Sequence, residues 1–399
     1  MPNSNWGYSE RAVSMKSSII RDLLKITKKP GVISFGGGLP ASELFPVEEI
    51  IDICSNVLRE RPHEALQYGT TEGYPPLREI ISERMNKIGV PCTPDEVMIT
   101  GGSQQGLDMA GRVFLDPGTA IVSARPTYLG AIQAFKAYDP QFITLHSDDD
   151  GMSVDGLEEI IIKNKPRLIY TVPTFQNPDG RTISVERREV IIDLARRYHI
   201  PVIEDDPYSE LSFEGEVPKH LRAMAPESVI LLGTFSKLLA PGLRVAWVIA
   251  PKGDCYNRFV RMKQGADLFT NALSQHIIYD FLKNGLIDGH LDKVRSVYSK
   301  RRNIMVKEMK EHLPEGVTFT EPTGGLFLWV ILPEGVDTAA LLPKAVEKKV
   351  AYVPGSAFFP DGGGKNTMRL NYSKPSDEEI VIGIERLAEL FKEELSTKR

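Results

Sequence analysis

Residues 229–247 read VILLGTFSKLLAPGLRVAW, and the rest of the chain is organised around them. The run Val229-Ile230-Leu231-Leu232 has the length and composition of a buried strand. It stops at Gly233, and a hydroxyl-rich loop with Thr234 and Ser236 ends on Lys237. Arg244 follows seven residues later, behind Pro241-Gly242, and opens a second apolar run over 245–250. The hydroxyls and the guanidinium can hold a phosphate. The lysine can form a Schiff base with a carbonyl. Pyridoxal 5′-phosphate (PLP) carries both a phosphate and an aldehyde, and its lysine works beside an acidic partner of the pyridine nitrogen. A solvated loop lysine is the competing reading, so the rest of the chain must decide.

The strand ends upstream carry compatible chemistry. The strand expected at 97–100 runs into Gly101-Gly102-Ser103-Gln104-Gln105-Gly106 and then an apolar-periodic helix. Free backbone N–H groups and the helix dipole make such a junction an anion site. It nearly matches the dinucleotide fingerprint, but Ser103 stands where the second glycine belongs, and the following stretch 121–125 offers no acid for a ribose. The junction therefore reads as a phosphate site without a dinucleotide, which disfavours a nucleotide-binding oxidoreductase. The strand at 120–123 ends in Pro126-Thr127-Tyr128, an aromatic that can stack on a planar ligand or simply line a rim. The strand at 167–172 leads to Asn177, and that at 200–204 to Asp205 and Tyr208. A further strand is expected at 142–145, with helices at 154–163 and 184–198. Short apolar strands alternating with helices imply a largely parallel sheet covered on both faces. In such sheets ligands bind at the carboxyl ends of the strands. Ser103/Gln104, Tyr128, Asn177, Asp205/Tyr208 and Lys237 each follow directly on an apolar strand. That coincidence outweighs any one of them.

The flanks add less. Ile19, Ile20, Leu23, Leu24 and Ile26 recur at helical spacing over 11–29, with Arg21 among them and Pro30-Gly31 as the stop. Gly36-Gly37-Gly38 follows a short strand at 32–35 and permits close backbone approach to a ligand, or a plain turn. Helices are expected at 47–60 and 76–88, with Tyr68 in a polar loop between them. Residues 252–313 read as helical. Strands at 317–319, 325–332, 350–353 and 368–372, the last holding Arg369, alternate with helices at 338–349 and 377–395 as a smaller α/β unit. The expected division is an N-terminal segment 1–45, a large domain 46–285 and a small domain 286–399. A net charge of −5 gives no basic field for nucleic acid. Cys54, Cys92, Cys255 and the histidines are too scattered for a disulfide framework or a metal site. The opening residues lack a signal-peptide core, and no window approaches the ~18 apolar residues of a membrane span. A cytoplasmic protein is the expectation. The glycine run in 361–366 lacks the flanking residues of a phosphate loop.

The stretches ISFGGGLPASELFP, LQYGTTEGYPPLRE, TGGSQQGLD, QNPDG, VIEDDPY, GTFSKLLAPGLR and MRLNY together resemble the fold-type I PLP enzymes. Within these the chain is most similar to the class I/II aminotransferases, in the subgroup holding 2-aminoadipate (LysN-like) and kynurenine aminotransferases. The resemblance covers nearly the whole chain. It implies a large domain with a mostly parallel, seven-stranded type of sheet and a smaller α/β domain. It implies that Lys237 holds PLP, that Asp205 pairs with the pyridine nitrogen, and that Asn177 and Tyr208 bond the ring oxygen. Tyr128 would stack on the ring, while Ser103, Gln104, Thr234, Ser236 and Arg244 would hold the phosphate. Tyr68 would reach the phosphate of a neighbouring subunit in a homodimer with shared sites. Arg369 would take the substrate α-carboxylate, beside Asn177 and the Gly38 backbone, and Arg21 would meet a distal carboxylate. The expected reaction is ping-pong transamination between an L-amino acid and a 2-oxo acid such as 2-oxoglutarate, with Lys237 moving the Cα proton. Asp179 departs from the family, which usually has threonine there. It lies in the turn rather than on Asn177, so the resemblance stands. A PLP-dependent lyase or decarboxylase, and the effector-binding half of a transcription regulator, are the alternatives. A regulator would need a DNA-binding extension, and about 30 residues precede Val32.

Overall fold

The computed structural model describes residues 6–15 and 31–396. Its large sheet contains β1 (Val97–Thr100), β2 (Ala120–Arg125), β3 (Gln141–Asp148), β4 (Leu168–Thr171), β5 (Val202–Asp206), β6 (Val229–Thr234) and β7 (Ala246–Ile249). The order across the sheet is β1-β7-β6-β5-β4-β2-β3, and Gly151–Met152 adds a two-residue eighth strand beyond β3. From β3 to β6 all neighbours are parallel. β7 is antiparallel to both β6 and β1. The link 235–245 between β6 and β7 is too short for a helical crossover, so the chain turns straight back. β4, β6 and β7 are buried at every position, as strands with helices on both faces must be.

Two expected strands shift, each for a local reason. The helix Val185–Tyr198 starts on Ser184, whose hydroxyl accepts from the Arg187 N–H, and closes through His199 in the left-handed region. Closing it uses the Ile200 N–H, which donates to Ala195 O at 2.9 Å. β5 therefore begins at Val202 and carries Asp205 within the strand rather than after it. The strand expected over 350–353 divides in two. Val350–Ala351 pairs in parallel with Ile33–Ser34, and β10 (Val353–Pro354) pairs with β11 (Thr367–Asn371). Between them the Tyr352 hydroxyl donates to Thr338 O at 2.8 Å and fixes the break.

β10 and β11 belong to a second sheet with β8 (Thr318–Phe319) and β9 (Phe327–Ile331), ordered β8-β9-β11-β10 and antiparallel throughout. The long helix Leu286–His312 packs on the helix Asp377–Ser396. One buried apolar cluster runs from Leu231 and Leu232 through to Phe327 and Trp329, so the two sheets share a core. A second cluster, around Val122, Ile169, Val202 and Val229, fills the other face of the large sheet. Of the helix expected over 11–29, residues 11–15 are described: a short helix, Glu10–Ser14, ends at an extended Met15, and Arg21 lies outside the described residues. No helix among the described residues is long and apolar enough to cross a membrane.

Candidate active site

The carboxyl ends of β1, β4, β5 and β6 converge on a cavity of about 250 Å³. Lys237 lies on its floor. Thr234 ends β6 and caps the short helix Phe235–Leu238 by accepting the Ser236 N–H at 3.1 Å, which turns Lys237 toward the cavity. The Lys237 Nζ donates to Gly38 O at 2.6 Å. Burial, and then the charges of Arg369 and Arg244, lower its pKa to about 8. It is therefore far easier to deprotonate than a solvated lysine.

Facing it from β5 is Asp205, 2% exposed. Its Oδ2 accepts the Tyr170 hydroxyl at 3.0 Å, and its Oδ1 has no partner. Burial raises the carboxyl to about 7, against the Tyr170 hydrogen bond and with help from the Asp206 charge. A buried acceptor with an idle oxygen suits a cationic N–H donor. Tyr170 itself sits in the apolar stretch RLIYTV, where only its hydroxyl distinguishes it from the core around it.

One end of the cavity suits an anion. Ser103 opens the helix Ser103–Phe114, and its buried hydroxyl has no partner. Thr234 and Ser236 hydrogen-bond each other at 3.1 Å, and Arg244 reaches across to Gly101 O at 2.9 Å. Gly102, at φ 107°, is required here: a side chain on it would collide with the Arg244 guanidinium. Gln104 lines the same end and donates to Gly130 O at 2.9 Å. Tyr128 forms a wall, with burial raising its hydroxyl to about 12.

The other end is a clamp. Arg369, on β11, is 1% exposed. It donates to Asn177 Oδ1 at 2.8 Å and to Gly36 O at 2.9 Å, while its Nε is unpartnered. Its guanidinium lies 4.2 Å from the centroid of Phe327 and 5.1 Å from that of Phe358. Among the described residues no carboxylate pairs with it. Burial lowers its pKa to about 10. Tyr208, buried beside Asn177, has its hydroxyl pushed well up by burial. Gly38 packs between Phe327 and Arg369.

Two residues fall elsewhere. Tyr68 is 77% exposed and packs edge-on against Phe269 at 5.5 Å, away from this chain's cavity. Asp179 lies in the turn, as expected, and holds it together. It is fully buried, its Oδ1 accepts Gln176 Nε2 at 2.9 Å and the Arg181 N–H at 3.2 Å, and Gln176 also bonds Pro126 O at 3.4 Å. It thus ties the loop of Asn177 to the turn before Tyr128.

The residues present fit PLP: an idle carboxylate oxygen for the ring nitrogen, an idle hydroxyl and an arginine for the phosphate, and a depressed-pKa lysine for the aldehyde. Comparison with known proteins agrees. The chain is 48% identical over 395 residues to an aromatic-amino-acid aminotransferase of Thermococcus litoralis, covering 97% of this chain and 94% of that one. It superposes with a TM-score of 0.93, at 47% identity and 98% coverage of both chains, on a multiple substrate aminotransferase from Thermococcus profundus. It matches the α-aminoadipate aminotransferase LysN of Thermus thermophilus, solved with N-(5′-phosphopyridoxyl)-L-leucine, at a TM-score of 0.91, 40% identity and 98% coverage of both. Residues 32–387 match the family described as aminotransferase class I and II. With a lysine, an aspartate and a phosphate cradle set at the strand ends of a fold-type I sheet, this chain belongs to the class I and II aminotransferases and is a PLP-dependent transaminase.

Proposed function

We propose that the enzyme exchanges amino groups between 2-oxoglutarate and a broad set of L-amino acids. Glutamate, 2-aminoadipate, aromatic and branched-chain amino acids are its donors, and it works by a ping-pong route as a cytoplasmic homodimer. The observation that carries this reading is Arg369, a buried guanidinium with an idle Nε and no carboxylate partner among the described residues. A substrate α-carboxylate satisfies both. The names of the relatives, which span aromatic and aminoadipate substrates, support the breadth.

Bound in the cavity, PLP supplies an aldehyde that accepts the amino group and a protonated ring that withdraws electrons. The chain supplies the rest. Asp205, with its idle Oδ1, would hold the ring nitrogen's proton. Asn177 and Tyr208 would bond the ring oxygen, and Tyr128 would lie against the ring. Ser103, Gln104, Thr234, Ser236 and Arg244 hold the phosphate, with Tyr68 of the neighbouring subunit. Arg369, Asn177 and the Gly38 backbone orient the substrate so that its Cα proton faces Lys237. The Lys237 Nζ, which burial makes easier to deprotonate, would take that proton and return it at the carbon that carried the cofactor's aldehyde. Arg21 meets a distal carboxylate, which separates dicarboxylic from apolar donors.

The test is the visible spectrum of the purified holoenzyme. Glutamate and phenylalanine should each bleach the yellow band, and 2-oxoglutarate should restore it. Bleaching without recovery, or a product other than the matching 2-oxo acid, would point to lyase or decarboxylase chemistry. Arg21→Ala should raise KM for 2-aminoadipate more than for leucine, and equal effects would remove Arg21 from the substrate site.

A further inference from the structure

Three carboxylates stand in a row at the end of β5: Glu204, Asp205 and Asp206. Side chains alternate across a strand. Asp205 faces the cavity, while Glu204 and Asp206 meet on the opposite face at one histidine. His220, 5% exposed, precedes the short helix Leu221–Met224. Its Nδ1 lies 3.2 Å from Glu204 Oε1 and 3.7 Å from Asp206 Oδ2.

The remaining capacity of the two carboxylates is taken up locally. Glu204 accepts the backbone N–H groups of Leu221 at 3.0 Å and Arg222 at 2.7 Å. Asp206 accepts the backbone N–H and the hydroxyl of Ser209 at 3.0 and 2.5 Å. Arg188 also faces the pair, but its guanidinium donates to the carbonyls of Ile183, Pro173 and Lys219 and to the Thr174 hydroxyl. The far side of His220 borders a second cavity with Glu210, Glu214, Lys219 and Arg295, and the two glutamates there are paired with Arg84 and Arg302. The cation in direct contact with both hidden carboxylates is therefore His220. Burial works against its charge, but Asp206 and then Glu204 raise its pKa to about 9.

We propose that His220 is a positioning residue for the cofactor: its imidazolium neutralises the two carboxylates behind β5, so that Asp205 can carry negative charge toward the ring nitrogen. The proposal rests on Asp205 being the partner of that nitrogen. Asp205 is already hard to ionise, since burial and the neighbouring Asp206 both oppose its charge, and only the Tyr170 hydroxyl favours it. Lys237 shares the cavity with it in the wild type and the variants alike, and Tyr128 and Tyr208 are neutral near pH 7 because burial raises both hydroxyls. Loss of the imidazolium leaves two uncompensated anions on adjacent residues, and like charges at that range disfavour ionisation.

The experiment titrates cofactor-free protein with PLP from pH 6 to 9 and reads the dissociation constant at each pH by protein fluorescence. In the wild type, affinity should weaken below the pH at which Asp205 takes up its proton. His220→Asn should move that pH up by about one unit, a roughly tenfold change in proton affinity. Binding would then be weaker at pH 6–7 and unchanged by pH 9. Asp206→Asn removes an anion and should move it down. The double variant should return near the wild type, which a merely structural role for His220 would not produce. Uniform weakening at every pH, or the same direction of shift in both single variants, would overturn the proposal. If His220→Asn does not fold, the downward shift in Asp206→Asn decides. Asp205→Asn should weaken PLP binding and leave a pH dependence, set by Lys237, that His220→Asn no longer moves. Unweakened binding in Asp205→Asn would instead remove Asp205 as the ring-nitrogen partner.

Discussion

At the residue scale, the site is a set of buried groups whose charge states depend on what they meet. Arg369 lies on two aromatic rings with one nitrogen idle, a state stable enough to keep but improved by a carboxylate. Arg369→Ala should lower kcat/KM for every amino acid by on the order of 10²–10³-fold, from roughly 3–4 kcal/mol for truncating one side of a buried ion pair. PLP affinity should change little, and a variant that loses cofactor and substrate together would contradict the division of the cavity into a cradle and a clamp. Lys237 gives a second expectation. A lysine reacts as its free amine, and burial lowers its pKa to about 8. The rate at which cofactor-free protein captures PLP should therefore rise with pH up to about 8 and flatten above it. A solvated lysine would keep rising toward 10. Stopped-flow absorbance distinguishes the two profiles, and Lys237→Ala should abolish the yellow band while leaving the fold intact.

At the element scale, what the sequence disclosed was the strand ends. Each apolar run stops at a glycine, proline or polar residue, and cavity-lining residues sit on the next few positions, so Ser103, Asn177, Asp205 and Lys237 could be picked out in order. Tyr170 could not. Its hydroxyl matters only because β4 lies beside β5 in register, with Tyr170 opposite Ile203, and pairing partners are not written along one strand. The reversed direction of β7 was hidden for a similar reason, since apolar composition does not distinguish a parallel neighbour from an antiparallel one. The burial of Asp179 was not legible either, because turn composition does not say what covers a turn. The loop after β4 passes under β9, where it is fully covered. That loop carries a prediction. Gly180 has φ 72°, and a side chain there would strike Phe327 O and Pro322. Gly180→Ala should displace Asn177 and with it the Arg369 contact, lowering Tm and raising KM for all donors together. A change in Tm alone would separate the loop from the clamp.

At the scale of the whole molecule, the large sheet provides the proposed cofactor cradle and the small sheet provides Arg369, and their shared core fixes the distance between them. Tyr68 is the residue left over, exposed and pointing off the chain's own site. If it completes a neighbour's phosphate site, subunits carrying Lys237→Ala and Tyr68→Ala should complement each other. A hybrid dimer would hold one site with both residues intact, and activity should rise on mixing dissociated subunits well above that of either parent. No gain on mixing would leave Tyr68 without a role in the neighbour's site. The bridging position of β7 has a consequence for biosynthesis. β1 reaches the rest of the sheet only through β7, so its backbone ladder cannot close until the ribosome has released residue 249. From then on every cradle residue that this chain supplies to its own site has been made, while Arg369 is still untranslated. The residues proposed to cradle the phosphate are thus all synthesised before the one proposed to grip a substrate.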